Sequence, residues 1–135
     1  DNMGFFVADQ VSKLMTKKGI HVEGANILIM GLAFKENCPD IRNTRVVDLI
    51  EQFDCFNCST DVYDPWVDRD AAMGEYKIKL IEEPTEGKYD AIILAVAHDV
   101  FKNLSSEQIK TFGKENHVIY DIKYLLDNED VDGRL

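Results

Sequence analysis

Ile27-Leu28-Ile29-Met30 is an unbroken apolar run, preceded by Asn26 and ended by Gly31. Runs of this kind are typical of strands that are buried on both faces of a parallel sheet. Comparable short runs recur along the chain, at 60–63, 78–81, 89–96 and 118–120. Between them lie amphipathic or capped segments that predict helices, at 45–53, 67–73 and 106–112. This alternation predicts a doubly wound, mostly parallel α/β sheet flanked by helices.

The first segment, 1–18, predicts a helix that precedes the sheet. Lys17, Lys18 and Gly19 form a typical carboxyl-terminal helix end, and Asp1 or Asn2 could cap the other end. The apolar residues of the segment share one helical face and are Met3, Val7, Val11, Leu14 and Met15. Because no lead-in chain precedes this helix, we expect the polypeptide to be part of something longer.

Length and composition predict a single folded domain. The chain has 135 residues, of which 45% are hydrophobic and 10% aromatic, which argues against disorder. Acidic residues number 25 against 15 basic, so the formal charge is −10. That charge argues against a nucleic-acid polymer or a membrane surface as a partner, and no apolar run reaches the roughly 18 residues of a membrane span. An anionic ligand would have to meet a local cluster of Lys and Arg.

The three cysteines, Cys38, Cys55 and Cys58, suit a reducing compartment, so we expect a cytoplasmic protein. Cys55 and Cys58 form a C-x-x-C at the end of a predicted helix, whereas a thioredoxin-type pair lies at a helix start. A zinc site needs four ligands, and no second pair follows. The sequence therefore predicts ordinary thiols and no metal site.

The loop after the first strand, 31–44, is where a doubly wound sheet would bind a ligand. Gly31 stands alone and is not part of a G-x-G-x-x-G, so the loop should not hold a dinucleotide in the usual manner. Lys35, Arg42 and Arg45 nevertheless lie near a strand end and a helix start, which predicts a local anion site. Phe34 could offer an apolar platform for a flat ring beside the Lys35 cation. Alternatively, Phe34 packs in the core and Lys35 is solvated.

Two further segments lie at the same edge of the predicted sheet. Asp64 follows the second strand, where nucleotide-binding folds often place a ribose ligand, but without the glycine motif we favour a turn at Asp64 with Trp66 over the sheet edge. His98-Asp99 could form an acid–base pair. Adjacent residues on an extended chain point in opposite directions, so we favour a helix-cap role for Asp99.

Several of these segments resemble one known family. They are Gly31-Leu32-Ala33-Phe34-Lys35, Asp40-Ile41-Arg42-Asn43-Thr44, Tyr63-Asp64-Pro65 and Ala95-Val96-Ala97-His98. Across nearly the whole chain the sequence resembles the C-terminal, UDP-binding domain of the UDP-glucose/GDP-mannose dehydrogenases. The stretch 34–44 is most similar to the bacterial branch that acts on UDP-N-acetylhexosamines in surface polysaccharide synthesis. Asn2-Met3-Gly4 resembles the end of the helix that joins the halves of these enzymes.

The resemblance implies a Rossmann-like domain at 20–135, preceded at 1–19 by the end of the inter-domain helix. It implies part of an enzyme that oxidises the C6 hydroxyl of a UDP-sugar, UDP-glucose or a UDP-N-acetylhexosamine, to a carboxylate while reducing two NAD. In the family, a separate N-terminal domain binds NAD and carries the cysteine that forms the thiohemiacetal and thioester. The full-length enzyme would be a homodimer or a higher homo-oligomer. This chain alone is expected to be inactive, and none of its residues is assigned a catalytic role.

Binding residues follow from the motif matches. Phe34 and Lys35 correspond to a substrate-contacting pair, and Arg42 to the arginine that reaches NAD across the domain cleft. Many relatives have Asp-Gly-Arg where this chain has Asp121-Ile122-Lys123. Lys123 is therefore expected to contact the substrate with its charge but without the bidentate fork of arginine. The later Asp132-Gly133-Arg134 repeats those letters in the C-terminal tail and is interpreted as chance.

Two other interpretations fit the length and the α/β pattern. A standalone binding or receiver-type signalling module would need an acidic pair after strand one and an acceptor Asp after strand three, where 31–33 and 95–98 stand instead. A complete small NAD-binding protein would need the missing glycine motif.

Overall fold

The computed structural model describes residues 3–135, which form one parallel sheet with helices on both faces. The expected caps at Asp1 and Asn2 lie outside these residues. The strands are β1 (Asn26–Met30), β2 (Ser59–Tyr63), β3 (Tyr89–Leu94), β4 (Gly113–Asp121) and β5 (Gly133–Arg134). The helices are α1 (Met3–Lys17), α2 (Val46–Cys55), α3 (Arg69–Tyr76), α4 (Asp99–Lys102) and α5 (Ser106–Lys110), with a 3-10 turn at Asn128–Asp130.

The strand order is β2-β1-β3-β4-β5, and every neighbouring pair is parallel. Met30 at the end of β1 pairs with Tyr63 of β2 and Leu94 of β3, and Leu94 pairs in turn with Asp121 of β4. The carboxyl ends of four strands are therefore level at one edge of the sheet. The predicted doubly wound α/β fold is confirmed, and the loops after these strands meet there.

Burial on both faces explains the unbroken apolar runs. Within β1, Ile27 and Ile29 belong to the core beneath α1 and α2, whereas Leu28 and Met30 belong to a second core on the opposite face. The second core includes Phe101 of α4. A strand with apolar contacts on both sides cannot alternate apolar and polar residues, which is the signal that the sequence carries.

Helix α1 packs against α2 through a close contact at Gly4. A Cβ at Gly4 would lie 2.8 Å from the Asp48 side chain and 2.8 Å from the Leu49 amide nitrogen, so only glycine allows this approach. Further along the helix, Val11 and Met15 are fully buried in the same core as β1. Among residues 3–135, no helix is long and apolar enough to cross a membrane.

Two segments differ from the sequence prediction. The expected strand at 78–81 is wrong: the segment is irregular, although the Ile81 amide donates to the Val62 carbonyl at 2.9 Å. The tail at 132–134 is part of the sheet, because Gly133–Arg134 pairs with β4 as an edge strand. The Asp132 carboxylate secures this strand by accepting the Ile119 amide at 2.8 Å and lying 2.8 Å from Lys18 Nζ.

Candidate functional site

The loop after β1 begins with a sharp turn that only glycine accommodates. Gly31 has φ +111°, and a Cβ there would lie 2.6 Å from the Cβ of Val96. The Gly31 amide donates to the Tyr63 carbonyl at 2.8 Å. The lone glycine noted in the sequence therefore brings the loop against the end of β3 rather than making room for a pyrophosphate.

Asp64, at the end of β2, anchors the first residues of this loop. Its Oδ2 accepts the amides of Leu32 at 2.7 Å and Ala33 at 2.9 Å, and its Oδ1 accepts the Trp66 amide at 2.9 Å. Burial alone would raise the pKa of Asp64, but hydrogen bonds from His98 and from the two loop amides outweigh it and lower the pKa. The predicted turn is present, and the carboxylate is engaged with protein donors rather than open to a ribose.

His98 lies fully buried between Asp64 and the middle of the loop. Its Nε2 is 3.0 Å from the Asp64 carboxylate, and its Nδ1 is 2.9 Å from the Asn37 amide nitrogen. The ring packs between Trp66 and Phe101, at centroid distances of 6.1 and 5.3 Å. Because the Asn37 amide can only donate, Nδ1 must accept, and the proton of a neutral ring lies on Nε2.

Two further hydrogen bonds fix the rest of the loop after β1. The Phe34 amide donates to the Asp40 carbonyl at 2.7 Å, and the Asn37 side-chain oxygen accepts the Asp99 amide at 2.9 Å. The expected helix-cap role of Asp99 is wrong, since His98 occupies the N-cap position of α4 and the Asp99 carboxylate is exposed, 4.0 Å from Lys102 Nζ. Through this contact Asn37 links the loop after β1 to the segment after β3.

Three of the predicted binding residues line one cavity at this edge of the sheet. The cavity has a volume of about 260 Å³, and Phe34, Lys35 and Lys123 all line it. The Phe34 side chain is 55% exposed, so the alternative in which it packs in the core is wrong. Neither lysine side chain forms a salt bridge with any residue in 3–135, which leaves both ammonium groups available to a ligand.

The start of α2 adds to the positive character of the cavity. Thr44, Arg45 and Val46 line it, and Arg45 is the N-cap residue, with no side-chain cap of its own. The Val46 amide lies 3.3 Å from Thr44 Oγ1, so the Thr44 hydroxyl accepts from one of the first amides of the helix. The positive end of the ten-residue helix dipole therefore points toward the cavity that the two lysines line.

Arg42 does not line this cavity. Its Nε and Nη2 each lie 3.0 Å from an oxygen of Asp40, and its side chain is 82% exposed. The hydrogen bond from Arg42 lowers the pKa of Asp40 to about 2. The sequence placed Arg42 near Lys35, but in the structure Arg42 forms a bidentate pair with Asp40 on the surface. Its contact with NAD stays a prediction.

Of the three cysteines, Cys58 alone is buried. Cys58 is buried with its thiol 3.2 Å from the Val22 carbonyl, and burial raises its pKa to about 11. Cys38 and Cys55 are free thiols outside the cavity lining. Within 3–135, no group of His, Cys, Asp and Glu is arranged to hold a metal ion.

A larger concavity of about 630 Å³ lies on the opposite face of the sheet, next to Tyr63 and Phe112. Its charged lining residues are Glu83 and Glu86, so it repels an anion. Volume alone would favour this cavity, but charge favours the smaller one, whose lining has Lys35, Arg45 and Lys123 against one acidic side chain, Glu36.

A parallel sheet with a cation-lined cavity at its carboxyl edge places the chain among the doubly wound α/β domains, which bind ligands at that edge. The sequence matches the UDP-glucose/GDP-mannose dehydrogenase family, UDP binding domain, over residues 28–128. The chain belongs to this family, and the stretch matched is its UDP-binding domain.

Individual relatives agree with this assignment. The chain is 53% identical over 135 residues to a UDP-N-acetyl-D-glucosamine 6-dehydrogenase of Pseudomonas aeruginosa, and 51% identical to one of Salmonella typhi. Both matches cover 100% of this chain but 32% of the relative, so the chain spans about a third of their length. The solved structure of a UDP-D-ManNAc dehydrogenase from Pyrococcus horikoshii matches with a TM-score of 0.77 and 25% identity, over 98% of this chain and 30% of that one.

Proposed function

We propose that the chain is the UDP-binding domain of an NAD-dependent nucleotide-sugar 6-dehydrogenase. The whole enzyme would oxidise the C6 hydroxyl of a UDP-sugar to a carboxylate, for surface polysaccharide synthesis. The names of the relatives that are 53% and 51% identical favour a UDP-N-acetylhexosamine over UDP-glucose as the substrate. Because the chain spans 32% of those relatives, we expect it to bind the nucleotide without oxidising the sugar.

One observation carries this proposal: Phe34, Lys35 and Lys123 line a single cavity although Lys123 is far from the other two in sequence. A diphosphate carries negative charge that the two ammonium groups would pair with, and the positive end of α2 lies beside them. The exposed Phe34 ring offers a flat apolar surface next to these cations. The three residues therefore form a substrate-binding set for a nucleotide diphosphate.

The residues of this chain do not fit a primary NAD site. Gly31 is used to approach Val96, and Asp64 is engaged by the amides of Leu32 and Ala33 and by His98. NAD supplies hydride acceptance in the whole enzyme, and we assign its main site to a separate N-terminal domain. Arg42, held out from the surface by Asp40, is the residue that we expect to reach NAD across the cleft.

The catalytic nucleophile also belongs outside this chain. Cys58 is buried and its raised pKa disfavours the thiolate, and neither Cys38 nor Cys55 lines the cavity. We place the end of the inter-domain helix at 1–19 and the UDP-binding domain at 20–135. We infer that the full enzyme is cytoplasmic, which suits the free thiols, and a homodimer or higher homo-oligomer.

A titration of the isotope-labelled chain with UDP, followed by NMR, tests this proposal. We expect the backbone amide signals of Phe34, Lys35 and Lys123 to shift at millimolar UDP, while the signal of Lys79, an exposed lysine outside the cavity, stays in place. Uridine serves as a control that lacks phosphate and should bind more weakly. Absence of shifts at all three residues would contradict the assigned site.

A further inference from the structure

The middle of the loop after β1, residues 31–44, is held by the buried imidazole of His98. His98 receives the Asn37 amide on Nδ1 at 2.9 Å and contacts Asp64 through Nε2 at 3.0 Å. Asp64 in turn holds the amides of Leu32 and Ala33, which come just before Phe34. The segment that presents Phe34 and Lys35 is therefore fixed at one end by Asp64 and beyond its other end by His98.

The two nitrogens of His98 have different partners, and the difference selects one form of the ring. The Asn37 amide is a donor, so Nδ1 must offer a lone pair. Asp64 has a pKa below its usual range, so its carboxylate is ionised and accepts the Nε2 proton. A protonated ring would direct an N–H from Nδ1 at the Asn37 N–H, and the contact that holds the loop would be lost.

We propose that His98 is the positioning residue that holds the Phe34–Lys35 segment in its binding conformation, and that it does so only as the neutral ring with its proton on Nε2. The part of this proposal that concerns UDP affinity rests on the proposed function. The part that concerns the loop stands on the contacts of Asn37 and Asp64 alone.

The His98 ring is surrounded by one carboxylate, one backbone amide and two aromatic rings. Asp64 is the ionised group that faces the ring from the segment after β2, with Trp66 stacked beside it. From α4 the ring meets Phe101, and from the loop it meets the Asn37 amide. Asp99 is next in sequence, but its carboxylate is exposed and lies toward Lys102.

The first test uses the unmutated chain. The ¹⁵N signals of the His98 ring should show a protonated Nε2 and an unprotonated Nδ1 at neutral pH. UDP-N-acetylglucosamine is the probe for affinity, because its diphosphate is esterified at both ends as in a UDP-sugar. The Asn37 amide should exchange slowly with solvent, because its N–H is bonded to Nδ1 of the buried ring.

The second test uses matched variants at neutral pH. His98→Leu removes both polar contacts and should weaken the probe by about tenfold, with loss of protection at Asn37. His98→Gln keeps one donor and one acceptor and should retain most of the affinity. Phe101→Leu loosens the core on the same ring without touching the loop, and should leave the affinity unchanged.

Three results would overturn the proposal. These are a proton on Nδ1 at neutral pH, an Asn37 amide that is unprotected from exchange in the unmutated chain, and a folded His98→Leu chain that binds like the unmutated one. If His98→Leu does not fold, the ring signals and the Asn37 amide of the unmutated chain still decide. If the unmutated chain does not bind the probe at all, the proposed function fails, and the protection of Asn37 still tests the role of His98.

Discussion

Asp64 and His98 are 34 positions apart in sequence, yet their side chains lie 3.0 Å apart with no solvent exposure on either. Each follows a strand, β2 or β3, and the two strands flank β1. The pair therefore sits directly beneath the loop that leaves β1. The pair accepts hydrogen bonds from the amides of Leu32, Ala33 and Asn37, and so it holds the loop that carries the candidate site.

Replacing Asp64 with Asn should destabilise the chain. Asp64 accepts from three backbone amides and from His98, and an amide side chain cannot accept on both of its terminal atoms. At least one buried N–H would lose its partner, at a cost of roughly 1–3 kcal/mol. Urea unfolding should show a lower midpoint with an unchanged slope. The control is Asp99→Asn, an exposed carboxylate whose loss should change the free energy of unfolding by less than about 0.5 kcal/mol.

The same carboxylate should make stability depend on pH. The folded chain lowers the pKa of Asp64 below its ordinary value of 3.8, so the folded state favours the ionised form. The resulting stabilisation is complete above that ordinary value and is lost as the pH falls through the lower, folded-state pKa. We expect the free energy of unfolding to decline below about pH 4, and to decline less in Asp64→Asn. Unfolding curves from pH 7 to pH 3 measure this; parallel curves for the two chains would contradict it.

Two glycine substitutions should act in opposite directions. Gly31→Ala imposes a φ of +111° on alanine and places its Cβ 2.8 Å from the Val96 backbone nitrogen, so we expect a loss of about 1–3 kcal/mol or more. Gly74 lies within α3 with nothing within 4 Å of an added Cβ, so Gly74→Ala should gain up to about 1 kcal/mol. Thermal unfolding compares the two. An unchanged melting temperature in Gly31→Ala would mean that the turn at β1 is not strained as described.

The two cavity lysines should contribute separately to UDP affinity. Lys35→Ala and Lys123→Ala should each weaken binding by roughly tenfold, about 1.4 kcal/mol, because each removes a cation that has no internal partner. Lys123→Arg should strengthen binding several-fold, since a guanidinium can pair bidentately with a phosphate. Calorimetric titration measures all three, with Lys79→Ala as the exposed control. A loss of equal size in Lys79→Ala would indicate a general charge effect instead of a site.

The sequence predicted the fold well where local pattern carries the information. The runs at β1 and β3 have apolar residues on both faces, and that is visible as an unbroken apolar stretch. The segment 78–81 is also mostly apolar, with Lys79 inside it, but it makes one backbone hydrogen bond to β2 and does not continue as a strand. Strand β5 is two residues long, and its pairing depends on Asp132 reaching Ile119. Contacts of this range leave no periodic signal.

The sequence predicted residues that line the cavity, but not the contacts that hold the loop carrying them. Motif resemblance identified Phe34, Lys35 and Lys123, and the structure brings these three to one cavity. Spacing along the loop grouped Arg42 with Lys35 in one anion site, yet a two-residue contact with Asp40 holds Arg42 on the surface. The part played by His98 was missed, because its partners are 34 and 61 positions away. The clue available in the sequence was a histidine after one apolar run and an aspartate after another.

The backbone of the loop between β1 and α2 is held by hydrogen bonds from within the protein, without any ligand. Asp64, His98 and the Asp40 carbonyl hold its backbone, while the Phe34 ring and the Lys35 ammonium group face outward. A nucleotide therefore meets a preorganised surface, and little conformational entropy remains to be lost when it docks. Association should then be governed by diffusional encounter and by the attraction between the phosphates and the local cations, not by a slow rearrangement of the loop.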